Sequence, residues 1–251
     1  MDVEKYFERI GLSSEPALSP EFLAALQLAH VTTVPYENLD IILGEPLDLS
    51  ADAVYRKVVE NHRGGYCFEL NALLAALLRE LGFSVRDYLG RFLKGESGIP
   101  LRRHRIIGVA FDGVECILDV GLGQSGPRIP LVLAEGLVQE QFGESYRFER
   151  DAELGWILLQ QRGEEWNRLY SFTTEHQYEV DFVEPSFYCE RHPDSPFNKK
   201  EIVAIKTIDG RKTVDGRTFK VFSGENLLSI EENMSDERLF EVLNTEFGIV
   251  I

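Results

Sequence analysis

Arg63-Gly64-Gly65-Tyr66-Cys67-Phe68-Glu69-Leu70-Asn71 puts a cysteine behind two glycines and at the head of a patterned helix. Apolar residues recur at Leu70, Leu73, Leu74, Leu77, Leu78 and Leu81, the rhythm of a helix with one buried face. Gly82 supplies its stop. Cys67 lies three residues before Leu70, on the same side and in the first turn. Unpaired N–H groups and the positive end of the helix dipole meet there, and both favour the reactive thiolate over the thiol. Gly64 and Gly65 allow a close backbone approach. The competing reading is an inert buried cysteine that happens to open a core helix.

Upstream, residues 2–11 form a short helix with Val3, Tyr6, Phe7 and Ile10 on one side. Ser19-Pro20 starts a second helix, as N-cap and first position. Val34-Pro35-Tyr36-Glu37-Asn38-Leu39 breaks it. Ser50 caps a third, with Val54, Val58 and Val59 inside, ending near His62. Downstream the pattern changes at Phe83. Short segments follow at 84–92, 105–111, 114–120, 128–133, 145–150, 156–160 and 168–172, separated by Gly, Asp and Glu. That spacing predicts an antiparallel barrel or sandwich. A brief helix is expected around 180–191, then a rigid connector, His192-Pro193-Asp194-Ser195-Pro196. Strands at 201–208 and 218–222, turns at Asp209-Gly210 and Asp215-Gly216, and a helix capped by Ser235 complete the chain.

Composition narrows the function classes. The chain has 251 residues, 44% hydrophobic and 27% charged, an ordinary globular balance. A net charge of −16 argues against nucleic acid and anionic membranes as partners. No run of 18 apolar residues occurs, and Met1-Asp2-Val3-Glu4-Lys5 lacks the features of a signal peptide, so a cytoplasmic location is expected. Three widely spaced cysteines, Cys67, Cys116 and Cys189, fit neither a disulfide framework nor a zinc pattern; no metal is expected.

A nucleophilic cysteine needs a base, and the base needs an orienting group. Strand parity selects among the five histidines. Asp112-Gly113 is a hairpin turn that pairs Phe111 with Val114. His104 and Asp119 then fall on one face as diagonal neighbours, roughly 7–8 Å apart at Cα. The opposite face, with Val109, Phe111, Val114, Cys116, Leu118 and Val120, reads as core, so Cys116 is structural. Gly108, Ala110 and Gly121 on the His104 face leave room for a ligand. Cys67 is the expected nucleophile, His104 the base and Asp119 its orienting carboxylate; the Cys67 N–H is the expected oxyanion donor.

Gly121-x-Gly123-x-x-Gly126 matches the dinucleotide fingerprint as a string, but Pro127 and a strand follow it, not a helix. It reads as a loop beside the site. Arg102, Arg103 and Arg105, with Arg91 and Lys94, form a basic cluster, either a solvated loop or a landing site for the phosphates of a carrier thioester.

With these residues in view, the sequence resembles the arylamine N-acetyltransferases. The resemblance rests on Val34-Pro35-Tyr36-Glu37-Asn38-Leu39, the 63–71 string, His104 and Asp119-Val120-Gly121-Leu122-Gly123. It implies an α+β fold with a cysteine-protease-like core: an N-terminal helical bundle over residues 1–83, a central antiparallel β-barrel over 84–193 and a C-terminal α/β lid over 194–251. It implies ping-pong transfer from acetyl-CoA, through a cysteine thioester, to an arylamine, arylhydrazine or N-hydroxyarylamine. Glu37 and Arg63 are expected as an ion pair behind the nucleophile, with Asn71 bracing it. Tyr36 and Leu122, each where the family often has Phe, resemble acceptor positions; Gly123 and Gly126 are expected to border coenzyme A. Ser97-Gly98-Ile99-Pro100-Leu101, just before His104, lies near coenzyme A in relatives. A papain- or transglutaminase-like hydrolase could use the same three residues, and a binding module could retain them without turnover.

Overall fold

The computed structural model describes residues 1–93, 95, 98–111 and 113–250. The expected Asp112 turn position, Lys94 of the basic cluster and Ser97 lie outside them. The chain opens with α1 (Val3–Ile10) and α2 (Pro20–Thr33), capped by the side chains of Asp2 and Ser19. β1 (Tyr36–Glu37) and α3 (Leu39–Leu43) follow. α4 (Ala51–Tyr55), capped by Ser50, runs on as a π-type stretch over Arg56–Glu60. α5 (Cys67–Glu80) then carries the cysteine.

The α5 periodicity predicted one buried face, but the helix is buried almost all round. From Cys67 to Leu78 only Ala76 escapes full burial. The reason is its central position: bundle residues such as Leu23, Leu26 and Val58 share its core with Ile107, Val109 and Leu118 of the sheet behind it.

That sheet comprises β2 (Ser84–Phe92), β3 (Arg102–Phe111), β4 (Val114–Leu118), β5 (Leu131–Val132), β6 (Gln139–Gln141), β7 (Glu144–Asp151), β8 (Gly155–Arg162) and β9 (Glu165–Phe172). Its order, β5-β4-β3-β2-β9-β8-β7-β6, leaves two short strands at the margins. Glutamine amides bridge them: Gln139 exchanges two bonds with the Val132 backbone, and Gln141 accepts from the Arg128 and Ile129 amides and donates to the Ile129 carbonyl. These amides imitate a ladder and bring the sheet close to a barrel. They also shorten the strand expected over 128–133 to β5. β4 ends two residues before its expected limit, since the Val120 amide donates to Asn71 Oδ1.

The hairpin register is as parity requires, with Phe111 opposite Val114 and Ile107 opposite Leu118. The expectation of one core face is corrected. β3 is buried on both sides, with Ile107 and Val109 toward α5 and Ile106 in a second core with Tyr88 and Ile117. Val114, expected in the core, is exposed at the hairpin tip. The room expected at Gly108 is filled by the Tyr88 ring and Glu115, and Ala110 is exposed.

α6 (Val183–Arg191) follows a 3₁₀ turn at Glu179–Phe182. The last part contains β10 (Ile202–Lys206), β11 (Gly210–Asp215), β12 (Thr218–Ser223), β13 (Asn226–Glu231) and α7 (Asp236–Phe247). The sheet order is β1-β10-β11-β12-β13, so its first strand comes from the helical region. Asn38 reinforces that junction, donating to the Phe197 and Lys200 carbonyls and accepting from the Ile202 amide. Among the described residues no helix is long and apolar enough to cross a membrane.

Candidate active site

Cys67 is the first residue of α5 and is fully buried. Glu69 accepts a bond from the Tyr66 amide at 3.1 Å, satisfying one of the donors a helix start leaves open. The Cys67 thiol donates to the Arg103 carbonyl at 3.6 Å, which sets it against the start of β3. The bend that brings it there depends on glycine. A Cβ on Gly121 would stand 2.6 Å from the Cys67 Cα, and one on Gly64 would stand 2.1 Å from the Pro35 carbonyl oxygen.

His104 and Asp119 are brought together: Nε2 lies 2.6 Å from Asp119 Oδ2, with both side chains buried. The ring sits between Phe92 and Tyr170, at centroid distances of 4.7 and 5.1 Å. Its other nitrogen, Nδ1, is buried without a hydrogen-bond partner among the described residues. Asp119 Oδ1 accepts from Asn71 Nδ2 and from the Gly121 amide, each at 2.9 Å. Asn71 also donates to the Arg105 carbonyl at 2.6 Å. One amide on the second turn of α5 thus ties the cysteine helix to β3 and to the 119–121 loop.

Burial pushes the Cys67 thiol well up, and Cys189 and Asp119 push the same way; the backbone N–H groups of Arg105 and Phe68 oppose them. The expectation that the helix terminus favours thiolate therefore meets a larger opposing effect. A dry site disfavours a lone charge. Ionisation here needs a cation beside the sulfur, and an imidazolium on His104 would provide it.

Behind the helix start, Arg63 donates to Glu37 Oε1 through Nε and Nη2 at 3.2 and 3.0 Å and to Asp40 at 2.8 Å. Glu37 Oε2 accepts from the Leu39 amide at 2.7 Å. Lys57, which the sequence reading missed, bridges Asp40 and Glu69 at 2.7 and 2.8 Å. Burial lowers Lys57, but Glu69, Glu37 and Asp40 together hold it above its ordinary value. The network closes on Glu69 and so on the N-terminal turn of α5.

A cavity of about 660 Å³ is bounded by Tyr36, Phe92, Leu122, Gly123, Phe197 and Ala204, with Arg103 and Lys220 also on its wall; its Phe92 packs on the His104 ring. Tyr36, Leu122 and Gly123 are therefore placed around one space. Gly126 is not on that wall; its amide donates to the Gly123 carbonyl and its own carbonyl accepts from Tyr146. Phe92 and Phe197 were missed. Phe92 ends β2 two residues beyond Gly90, which lies opposite His104, and that parity would have found it. Phe197 sits in a connector and gave no such signal.

The basic cluster does not assemble. Arg105 is buried between Asp87 and Glu179, Arg91 donates to the Pro100 carbonyl, and Arg102 faces Glu175 at 4.0 Å. Of its described residues, Arg103 alone reaches the cavity wall.

A family profile described as N-acetyltransferase matches residues 20–251. The arylamine N-acetyltransferase of Mycolicibacterium smegmatis is 37% identical over 255 residues, covering 99% of this chain and 92% of that protein. The solved arylamine N-acetyltransferase from Salmonella typhimurium superposes with a TM-score of 0.94 at 30% identity, over 98% of this chain and 90% of the other. The Mycobacterium marinum arylamine N-acetyltransferase in complex with CoA gives 0.93 at 32% identity, over 99% and 93%.

Proposed function

This chain belongs to the arylamine N-acetyltransferases, and from there we propose that it transfers an acetyl group from acetyl-CoA to an arylamine, arylhydrazine or N-hydroxyarylamine through a thioester on Cys67. The reading is carried by one observation. His104 is held by Asp119 through Nε2 while Nδ1 stays buried and, among the described residues, unpartnered, and the thiol bonds the carbonyl of Arg103, the residue next to it.

Nδ1 accepts the Cys67 proton as Sγ attacks the acetyl carbonyl, so the thiolate forms with its counter-ion in place. Asp119 stabilises the imidazolium and fixes its orientation. The Cys67 N–H, at the helix start, faces the developing oxyanion. Collapse expels the CoA sulfur, which leaves with the proton from His104, and the acetyl group stays on Cys67. The acceptor nitrogen or oxygen then attacks the thioester, His104 takes its proton, and the thiol is restored. Tyr36, Leu122, Phe92 and Phe197 supply apolar walls for a planar aromatic acceptor; Gly123 leaves space for the pantetheine arm. Glu37 and Arg63 keep the helix start in place, and Asn71 keeps it in register with Asp119.

Intact-mass measurement after acetyl-CoA, without acceptor, tests this reading. One acetyl group should appear, map to Cys67 and disappear when an aromatic amine is added. A hydrolase would return free acetate with no dependence on amine, and that result would displace the proposal.

A further inference from the structure

Against Ala72 and Ala76 of α5, a second cavity of about 670 Å³ lies between the 46–51 segment and α6. None of the residues assigned to acetyl transfer lines it. Its apolar walls include Leu49 and Ala76, and Val183 and Phe187 of α6, the last two 57% and 63% exposed. Exposed apolar surface beside a cavity of this size marks a binding site.

Its charged groups are Asp48, Glu179, Glu190 and Arg191. Glu179 is taken up by Arg105, which donates to both its oxygens. Arg191 donates to the Gly44 carbonyl and reaches only 3.9 Å from Glu190. The Ser50 amide holds Asp48 below the usual carboxylate range, so it is anionic at neutral pH. The Glu190 side chain is largely buried. It accepts one bond from Ser186 at 3.2 Å and a long one from the Leu47 amide at 3.4 Å. Beside the Glu179 held by Arg105, two carboxylates and one guanidinium thus border an apolar trough, within a chain of net charge −16. The cavity bounded by Tyr36, Phe92 and Leu122 is lined instead by Arg103 and Lys220 against Asp215. The two spaces have opposite electrostatic preference.

We propose that the trough between the 46–51 segment and α6 is a second ligand site, which takes a hydrophobic cation with its aromatic or alkyl body on Val183 and Phe187 and its ammonium at Glu190. The proposal does not depend on acetyl transfer.

Phenethyltrimethylammonium is a suitable probe, because it has no N–H to acetylate. Titration of the full chain by NMR or calorimetry should give saturable binding that survives alkylation of Cys67 with iodoacetamide. Glu190→Gln keeps an acceptor for Ser186 and removes the charge; it should weaken the probe about tenfold, as loss of a charged partner does. Val183→Arg, at an exposed position, should abolish binding while the protein melts normally, and it serves as the test if Glu190→Gln misfolds. Absence of saturable binding, loss of binding on Cys67 alkylation, or indifference to both substitutions would each overturn the proposal.

Discussion

Asp119 commits one oxygen to His104 and the other to Asn71 and the Gly121 amide. Asp119→Asn must turn an N–H toward one of these donors or toward His104. We expect kcat/KM to fall by about 10³–10⁴, as in a serine triad given the same change, with acetylation and deacetylation both slowed. A second expectation follows from the dry thiol. His104→Gln removes the only side chain proposed to supply a counter-ion, so burial, reinforced by Cys189 and Asp119, then holds the Cys67 thiol up. Thiolate absorbance followed against pH should shift upward in that variant, and iodoacetamide labelling at neutral pH should slow. An unchanged titration would remove His104 from the proposed role. The residues at this scale were the most legible in the sequence. The contact of His104 with Asp119 and the place of Cys67 in the first turn of α5 could be read because parity and helical spacing are local rules. The sense of the thiol's shift was not legible, because burial depends on what the rest of the chain stacks above it.

At the level of elements, Glu144 of β7 ties the barrel to the C-terminal sheet. It pairs with Arg128 and, at 3.0 Å, with Lys206 of β10, while Arg128 also donates to the Thr207 and Gly210 carbonyls. Glu144→Gln leaves two buried cations without their anion, and calorimetry should register a loss of about 3–5 kcal/mol. Burial pulls Lys206 down to about 8, against the pull of Glu144. A lysine lowered from 10.5 favours the folded state fully only above 10.5, and this contribution is lost as pH falls through about 8. Relative to Lys206→Met, the native chain should therefore gain stability from pH 8 to 10.5; parallel melting curves would contradict the assignment. β2 and the hairpin register were readable from alternation and a two-residue turn. β6, at three residues, was not, nor was β1, at two. Strands that short carry no period, and the glutamine amides that complete the barrel look like ordinary surface residues in a sequence.

For the whole molecule, acid should act through the helical region. His30 is fully buried, bonded through Nδ1 to the Tyr6 hydroxyl at 2.6 Å, and burial pulls it down to about 3. Unfolding returns it to 6.5, so its contribution is present above 6.5 and lost as pH falls toward 3. His30→Gln should flatten the decline of melting temperature between those limits. The α+β class, a helical region followed by a strand-rich one, was visible as a change of period near Phe83. The interleaving of these parts was not, because β1 pairs with a strand more than 160 residues later, Tyr36 with Ala204.

Tyr36 stands on the cavity wall and, through its own backbone, forms the margin of the C-terminal sheet. An aromatic guest that leans on its ring also loads that margin. Deuterium uptake by the amides of β10, which borders the same cavity, should consequently slow when acceptor is added, and a nick that frees the C-terminal sheet would take away part of the pocket and leave the nucleophile untouched.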